Sequence, residues 1–389
     1  MQTPFVIIDL DIVETKFLEL SAALEHTELC YAVKANPGRQ VIETLARLGA
    51  SFDVASVPEI ELVMSCGVEA ARMSFGNTIK KQRDIAYAAQ LGITRFTVDS
   101  LDELNKVLAE VPNPEICVRL FHDCIGADWP LSKKFGCGVG DAHQILVAAG
   151  RAGCTTGISF HVGSQQRNLN SWLAPLELCQ SLITSVGAVT QAPEFVNLGG
   201  GFPGSYLDDT PPISVYGDAI RQNIADVFGP TPPRLMAEPG RYLVADAGTL
   251  HTEVVLVSQR DIDPRRWVYI DCGVFGGLAE TLGESIRYRL ATDHPPTCAT
   301  SEIVLAGPTC DSADVIYEKS GYQLPNDIAP GDIIRIASTG AYTTSYSAIG
   351  FNGFAPLAQV YCNERTSTDD LASQLPNSNP RSGAVSIGS

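Results

Sequence analysis

The segment Cys30-Tyr31-Ala32-Val33-Lys34-Ala35-Asn36-Pro37 places a lysine at the end of a short apolar run, just before a proline. Its β-branched and aromatic residues predict a strand, and the proline predicts a break. A lysine where a strand leaves the core can sit in a desolvated pocket. There its ammonium gives up a proton more readily, and the amine becomes a nucleophile. Its chemistry is then Schiff-base formation with an aldehyde. A lone Val-Lys pair is ordinarily a surface strand end, so the reading depends on what else the chain brings to the same place.

Other polar residues fall at the ends of apolar runs. Asp53 lies in Phe52-Asp53-Val54-Ala55-Ser56, Arg119 is at the end of Glu115–Leu120, and His161 and Ser164 are at the end of Gly157–Val162. Gly199-Gly200-Gly201 follows one run, and Glu238-Pro239-Gly240-Arg241 follows another. A glycine run lets backbone N–H groups approach phosphate oxygens closely, and Arg241 adds charge-assisted hydrogen bonds. A carboxylate such as Glu238 suits a pyridine nitrogen that must stay protonated. Lysine, phosphate cradle and carboxylate together fit pyridoxal phosphate. Ordinary alternatives stand beside these roles: Glu238 in a salt bridge with Arg241, His161 as a satisfied core histidine, the glycines as a structural turn. Gly199, Gly201 and Gly204 also match G-x-G-x-x-G, but Pro203 and the Ser205–Asp209 stretch offer no clear helix start, which argues against a dinucleotide site. No His/Glu or His/Asp spacing suggests a metal site.

The elements that must position these residues alternate. Apolar runs at Cys30–Lys34, Phe52–Ala55, Arg72–Phe75, Arg95–Val98, Glu115–Leu120, Gly157–Val162, Phe195–Leu198 and Arg234–Ala237 read as strands. Amphipathic stretches lie between them, among them Gln40–Leu48, Glu59–Cys66, Leu101–Ala109 and Trp172–Val186. Such alternation predicts an α/β fold, a (β/α)8 TIM barrel rather than a doubly wound sheet, with its site at the C-terminal strand ends. Near residue 245 the pattern turns β-rich, with runs at Thr252–Ser258, Trp267–Ile270, Glu302–Leu305 and Asp332–Ala337. The expected organisation is a coenzyme-binding barrel over 11–244 and a β-sandwich or β-barrel-like domain from 1–10 plus 245–362. The polar tail 363–389 is expected to be disordered.

Composition narrows the function classes. A net charge of −17 argues against nucleic acid and against anionic membranes. No apolar run approaches the ~20 residues of a membrane span, and the N-terminus lacks a signal peptide's basic region. Eleven scattered cysteines without a C-x-x-C pair predict reduced thiols in a cytoplasm.

Two further motifs lie in the β-rich part. Gly307-Pro308-Thr309-Cys310-Asp311-Ser312 sets a thiol beside a carboxylate, and Gly340-Ala341-Tyr342 sets a phenol in a glycine turn. Cys310 as an inert buried thiol is the ordinary alternative. With Tyr31–Asn36, Phe52–Ser56, Ser159–Ser164, Gly199–Gly204, Glu238–Tyr242 and Phe351–Phe354, these motifs run in family order along nearly the whole chain. The chain resembles the fold-type III pyridoxal-phosphate-dependent decarboxylases, the group of ornithine, diaminopimelate and arginine decarboxylases.

The resemblance implies a homodimer with shared sites and a small basic amino acid as substrate. Lys34 would form the Schiff base, His161 stack on the ring and Glu238 hold its nitrogen. Asp53, Arg119, Ser164, Gly200, Gly201, Gly240, Arg241 and Tyr342 would complete the coenzyme site. Cys310 would protonate Cα, and Asp311 would contact the distal amine, both from the other subunit. Cys310-Asp311-Ser312 and Phe351-Asn352-Gly353-Phe354 favour the ornithine branch over diaminopimelate decarboxylase. The usual substrate-gripping aspartate is absent, and Glu284 aligns best with it, Glu280 being a second candidate. The implied reaction is L-ornithine to putrescine, in polyamine synthesis, with L-lysine to cadaverine as a second reaction. A racemase on the same fold and a non-catalytic regulator are the rivals. The presence of Lys34, Glu238, Arg241 and Cys310 argues against the regulator.

Overall fold

The computed structural model describes residues 2–129 and 134–375. Phe5–Asp9 (β1) runs directly into the helix Leu10–Ala23, whose first turn Asp9 caps by accepting from the N–H groups of Asp11 and Ile12. The strands that follow are β2 (Thr27–Ala32), β3 (Ser51–Val54), β4 (Met73–Phe75), β5 (Arg95–Val98), β6 (Glu115–Arg119), β7 (Ala127–Trp129), β8 (Thr155–Ser159), β9 (Ser164–Gln166), β10 (Phe195–Asn197) and β11 (Arg234–Ala237). Among them β2, β3, β4, β5, β6, β8, β10 and β11 close into a parallel barrel, as β8 and β11 both pair with β10. Buried on both faces, these strands read as continuous apolar runs, which is why they were visible in the sequence. Cys30, Cys117, Phe195 and Met236 pack together apart from the main core, as side chains inside a barrel do. The pair β7 and β9 is antiparallel and lies outside the barrel sheet.

Helices between the strands take their starts from capping residues. Ser56 accepts from the Glu59 N–H at the head of Val57–Ser65, and Ser100 accepts from the Glu103 N–H at the head of Leu101–Glu110.

A second sheet follows the barrel. It contains β12 (Gly248–Arg260), β13 (Asp263–Ile270), β14 (Leu290–Ala291), β15 (Thr300–Ala306), β16 (Val315–Tyr317), β17 (Gln323–Pro325), β18 (Ile333–Ala337) and β19 (Ala358–Cys362), with β1 between β12 and β19. The first strand of the chain thus belongs to the sheet built mainly from its last third.

The tail departs from expectation. Thr368–Gln374 form a helix, begun by a capping box in which Ser367 and Asp370 satisfy each other's backbone N–H groups. Gln374 ties it to β19, accepting from the Tyr361 N–H at 2.9 Å and donating to the Tyr361 carbonyl at 3.0 Å. A polar composition hid a segment whose order comes from a cap and two local hydrogen bonds. The rest of the expected tail, 376–389, lies outside the described residues.

Candidate active site

The strand carrying the candidate lysine is shorter than its apolar run suggests. β2 ends at Ala32, and Val33–Ala35 make a single 3-10 turn that lifts Lys34 off the strand. That turn is clamped from both units. Ala32 donates to the Pro239 carbonyl at 3.0 Å, and Tyr342 donates to the Ala35 carbonyl at 2.8 Å. The Ser345 hydroxyl donates to the Lys34 carbonyl at 3.1 Å, and the Asn36 amide donates to the Gly340 carbonyl at 2.8 Å. The segment after β18 therefore fixes a residue at the barrel mouth.

Lys34 lines a cavity of about 550 Å³ with His161, Ser164, Gly200, Gly201, Glu238, Gly240, Arg241, Glu280 and Tyr342. Its Nζ stands 3.6 Å from Asp53 Oδ2. Its charge state corrects the sequence reading. Burial pulls the ammonium down, but Asp53, then Tyr342 and Glu238, push it up by more, and the net shift is upward. The amine is therefore held as a cation by its carboxylate neighbours. About half of its side-chain surface stays open (52%), so water screens the pair.

Glu238 follows β11 and is kept in place by Asn197 at the end of β10, whose amide donates to Glu238 Oε1 at 2.6 Å. Burial first, then the charge of Asp53, raises the Glu238 carboxyl to about 7, while Lys34, the Asn197 hydrogen bond and Arg119 oppose the rise. The salt bridge expected as the ordinary alternative does not form, because Arg241 pairs with Glu280 instead. His161 accepts the Gly163 N–H on Nδ1 at 3.0 Å, which leaves the proton of the neutral ring on Nε2. Burial, then Arg119, Lys34 and His122, hold its pKa well below the ordinary value, so the ring is neutral.

The glycine turn works as a cradle. Gly201 has φ of 108°, and a side chain there would strike the Gly163 carbonyl and Val162. A side chain at Gly200 would crowd the Glu238 carbonyl and the His161 ring. Ser164 and Arg241 border the turn, and Arg241 lies 4.9 Å from the Tyr342 ring centre. The donor set fits pyridoxal phosphate: a side-chain-free backbone turn with Ser164 and Tyr342 for the phosphate, Glu238 for the ring nitrogen, His161 for the ring face and Lys34 for the aldehyde. Asp53 reaches the site through Lys34 and does not itself line the cavity; its Oδ1 is buried against Gly76 without a hydrogen-bond partner.

Some expected residues lie elsewhere. Arg119 ends β6 within electrostatic reach of Lys34, His161 and Glu238, with its guanidinium 5.6 Å from the Phe135 ring centre, but it does not line the cavity. The structure does not bring Glu284 to the cavity. Its carboxylate accepts the N–H groups of Glu318 and Lys319 at 2.8 and 2.7 Å and the Ser320 hydroxyl, and it faces a separate cavity with Arg167 and Arg287. Burial raises its pKa, but those hydrogen bonds outweigh it and the net shift is downward. Glu280 does line the cavity, with both oxygens engaged by Arg241. Cys310 is exposed, and neither it nor Asp311 lines the Lys34 cavity of its own chain. Residues not foreseen also contribute: Asn197 behind Glu238, Tyr206 behind Arg241, and Trp129, Phe135 and Tyr346 on the cavity wall. Asn197 was the findable one, a polar residue at a strand end next to the glycine run.

The family model described as pyridoxal-dependent decarboxylase, pyridoxal binding domain, matches residues 10–245. The lysine/ornithine decarboxylase of Selenomonas ruminantium is 32% identical over 363 residues, covering 90% of this chain and 88% of that protein. The structure of the Vibrio vulnificus lysine/ornithine decarboxylase complexed with cadaverine matches with a TM-score of 0.84 at 34% identity, over 93% of this chain and 95% of that one. The Paramecium bursaria Chlorella virus arginine decarboxylase matches with a TM-score of 0.86 at 28% identity, over 93% and 96%. The barrel-mouth lysine, its carboxylate partners and the cradle beside them thus have a family: the chain belongs to the pyridoxal-phosphate-dependent decarboxylases of the ornithine decarboxylase group, which are carboxy-lyases.

Proposed function

We propose that the protein removes CO2 from a basic L-amino acid, L-ornithine first and L-lysine second, as a cytoplasmic homodimer with shared sites. We take 11–244 as the coenzyme-binding unit and 1–10 with 245–362 as its partner unit. The observation that carries the reading is the convergence of Lys34, Glu238, His161 and the Gly200–Gly201 turn on one cavity. The names of the relatives support basic substrates. Exposure of the Cys310 loop supports shared sites. Among the described residues no helix is long and apolar enough to cross a membrane, and no disulfide forms.

When bound, pyridoxal phosphate supplies an electron sink for the pair released from the Cα–carboxylate bond. The chain supplies the rest. Lys34 presents its nitrogen beside Asp53, which holds it as an ammonium until a proton can be passed on. Glu238, backed by Asn197, would hold the ring nitrogen, and its carboxyl changes charge near neutral pH. Neutral His161 would cover the ring face. Cys310 from the second copy delivers its proton to the carbon that lost CO2, and Asp311 meets the distal ammonium. A neutral side chain there would strand a carboxylate, a mismatch of roughly 2–5 kcal/mol. The test is CO2 release from L-ornithine, L-lysine, L-arginine and meso-diaminopimelate. Ornithine leading with lysine second supports the proposal, and exclusive use of meso-diaminopimelate refutes it.

A further inference from the structure

The guanidinium of Arg241 has no donor to spare. Its Nε and Nη2 donate to Ser164 Oγ at 3.1 and 3.0 Å, and its Nη1 donates to the Tyr206 hydroxyl at 2.7 Å. Nη1 and Nη2 also donate to the two oxygens of Glu280 at 2.7 and 2.6 Å. A guanidinium carries five N–H groups, and these bonds use all of them. The pair is buried, the two side chains being 3% and 4% exposed. Glu280 lies on the cavity that holds Lys34 and the glycine turn.

We propose that Glu280 is the counter-ion that sets the anion affinity of the coenzyme's phosphate cradle, as a positioning residue for Arg241 and not as a substrate contact. The inference rests on reading the cavity as the coenzyme site. Glu280 holds the guanidinium against Ser164, whose oxygen accepts twice from Arg241 and whose hydrogen is left to donate into the cradle. It also opposes the charge of Arg241 inside the protein, where a phosphate dianion would otherwise feel that charge in full. A substrate ammonium would meet a Glu280 carboxylate whose charge Arg241 already neutralises, so it would gain little from that contact. The cradle therefore binds phosphate through Ser164, Tyr342 and backbone N–H groups, with the attraction of Arg241 held in check.

The test is titration of coenzyme-free protein with inorganic phosphate and with pyridoxal phosphate, followed by absorbance and calorimetry. Glu280→Gln keeps size and one acceptor but removes the charge, and both ligands are expected to bind at least about tenfold more tightly. Glu280→Ser should move both in the same direction and serves if the first variant does not fold. Equal or weaker binding in a folded variant overturns the counter-ion role. The ratio of kcat/KM for lysine to that for ornithine should stay within about threefold of wild type, and a larger change would return Glu280 to substrate recognition. A wild-type protein that binds neither ligand would instead refute the coenzyme reading itself.

Discussion

Asn352 holds Cys310 at two points: its Oδ1 accepts the Cys310 N–H at 3.1 Å, and its Nδ2 donates to the Cys310 Sγ at 3.4 Å. Asn352 itself is in the left-handed region (φ 50°), between Gly350 (φ 73°) and Gly353 (φ 76°). Two motifs that stand 42 residues apart in the chain are therefore one device, a tight turn that aims a thiol. Asp314 braces the other end of the loop, accepting from the N–H groups of Val274 and Thr309 at 2.8 and 3.0 Å. Asn352→Ala should lower kcat about tenfold, because a loosened group loses orientation, while the coenzyme's absorbance stays intact. Unchanged kcat would show that the thiol needs no such support.

If Cys310 serves the site of a second copy, two inactive variants must rescue each other. Lys34→Ala and Cys310→Ala, each inactive alone, are mixed and re-equilibrated. A random mixture places one intact site in half of the dimers, so activity should recover to about a quarter of wild type. No recovery, with exchange of subunits demonstrated, would place both groups in one chain's site.

Glu238 makes a pH prediction for coenzyme-free protein. Its folded pKa of about 7 lies above the unfolded value near 4.5. Between these values the folded state holds more protons than the unfolded state. Stability therefore falls as pH rises through this window. Glu238→Gln should remove that part of the slope, so its Tm relative to wild type should rise from pH 5 to pH 7. A Tm difference that is flat or falls over this range contradicts the assignment.

Away from the site, Lys80 and Glu103 form a buried pair with Nζ and Oε1 3.0 Å apart and exposures of 0% and 4%. Lys80 also donates to the Asn77 and Thr97 carbonyls, both at 2.7 Å, tying the loop after β4 to β5. Burial pulls the Lys80 pKa down to about 8 against the pull of Glu103. Glu103→Ala should cost about 3–5 kcal/mol, measured by chemical denaturation, because it strands a buried ammonium. A loss below about 1 kcal/mol would mean that the lysine sheds its proton or finds water.

The barrel was legible because each of its strands is buried on both faces and so reads as an unbroken apolar run. Several cavity-lining residues, Lys34, His161, Gly200, Glu238 and Arg241 among them, were legible because they follow those runs. What the sequence hid is what depends on distant partners. Whether Glu280 or Glu284 faces the cavity is decided by Arg241, 39 residues from Glu280, and by the backbone at 318–320. The charge of Lys34 depends on Asp53, brought beside it when β3 pairs with β2, and on Glu238, brought close only when β11 closes the barrel onto β2. Strand length misled in the same way, since the turn at Val33–Ala35 is imposed by Gly340, Tyr342 and Ser345 from the other unit.

The most direct measurement is borohydride reduction of the protein with pyridoxal phosphate, followed by peptide mass mapping. The reduced coenzyme should be carried by Lys34, in one equivalent per chain, and Lys34→Ala should carry none. Label found instead on Lys80, a buried lysine whose pKa is also shifted, or spread over surface lysines, would contradict the account.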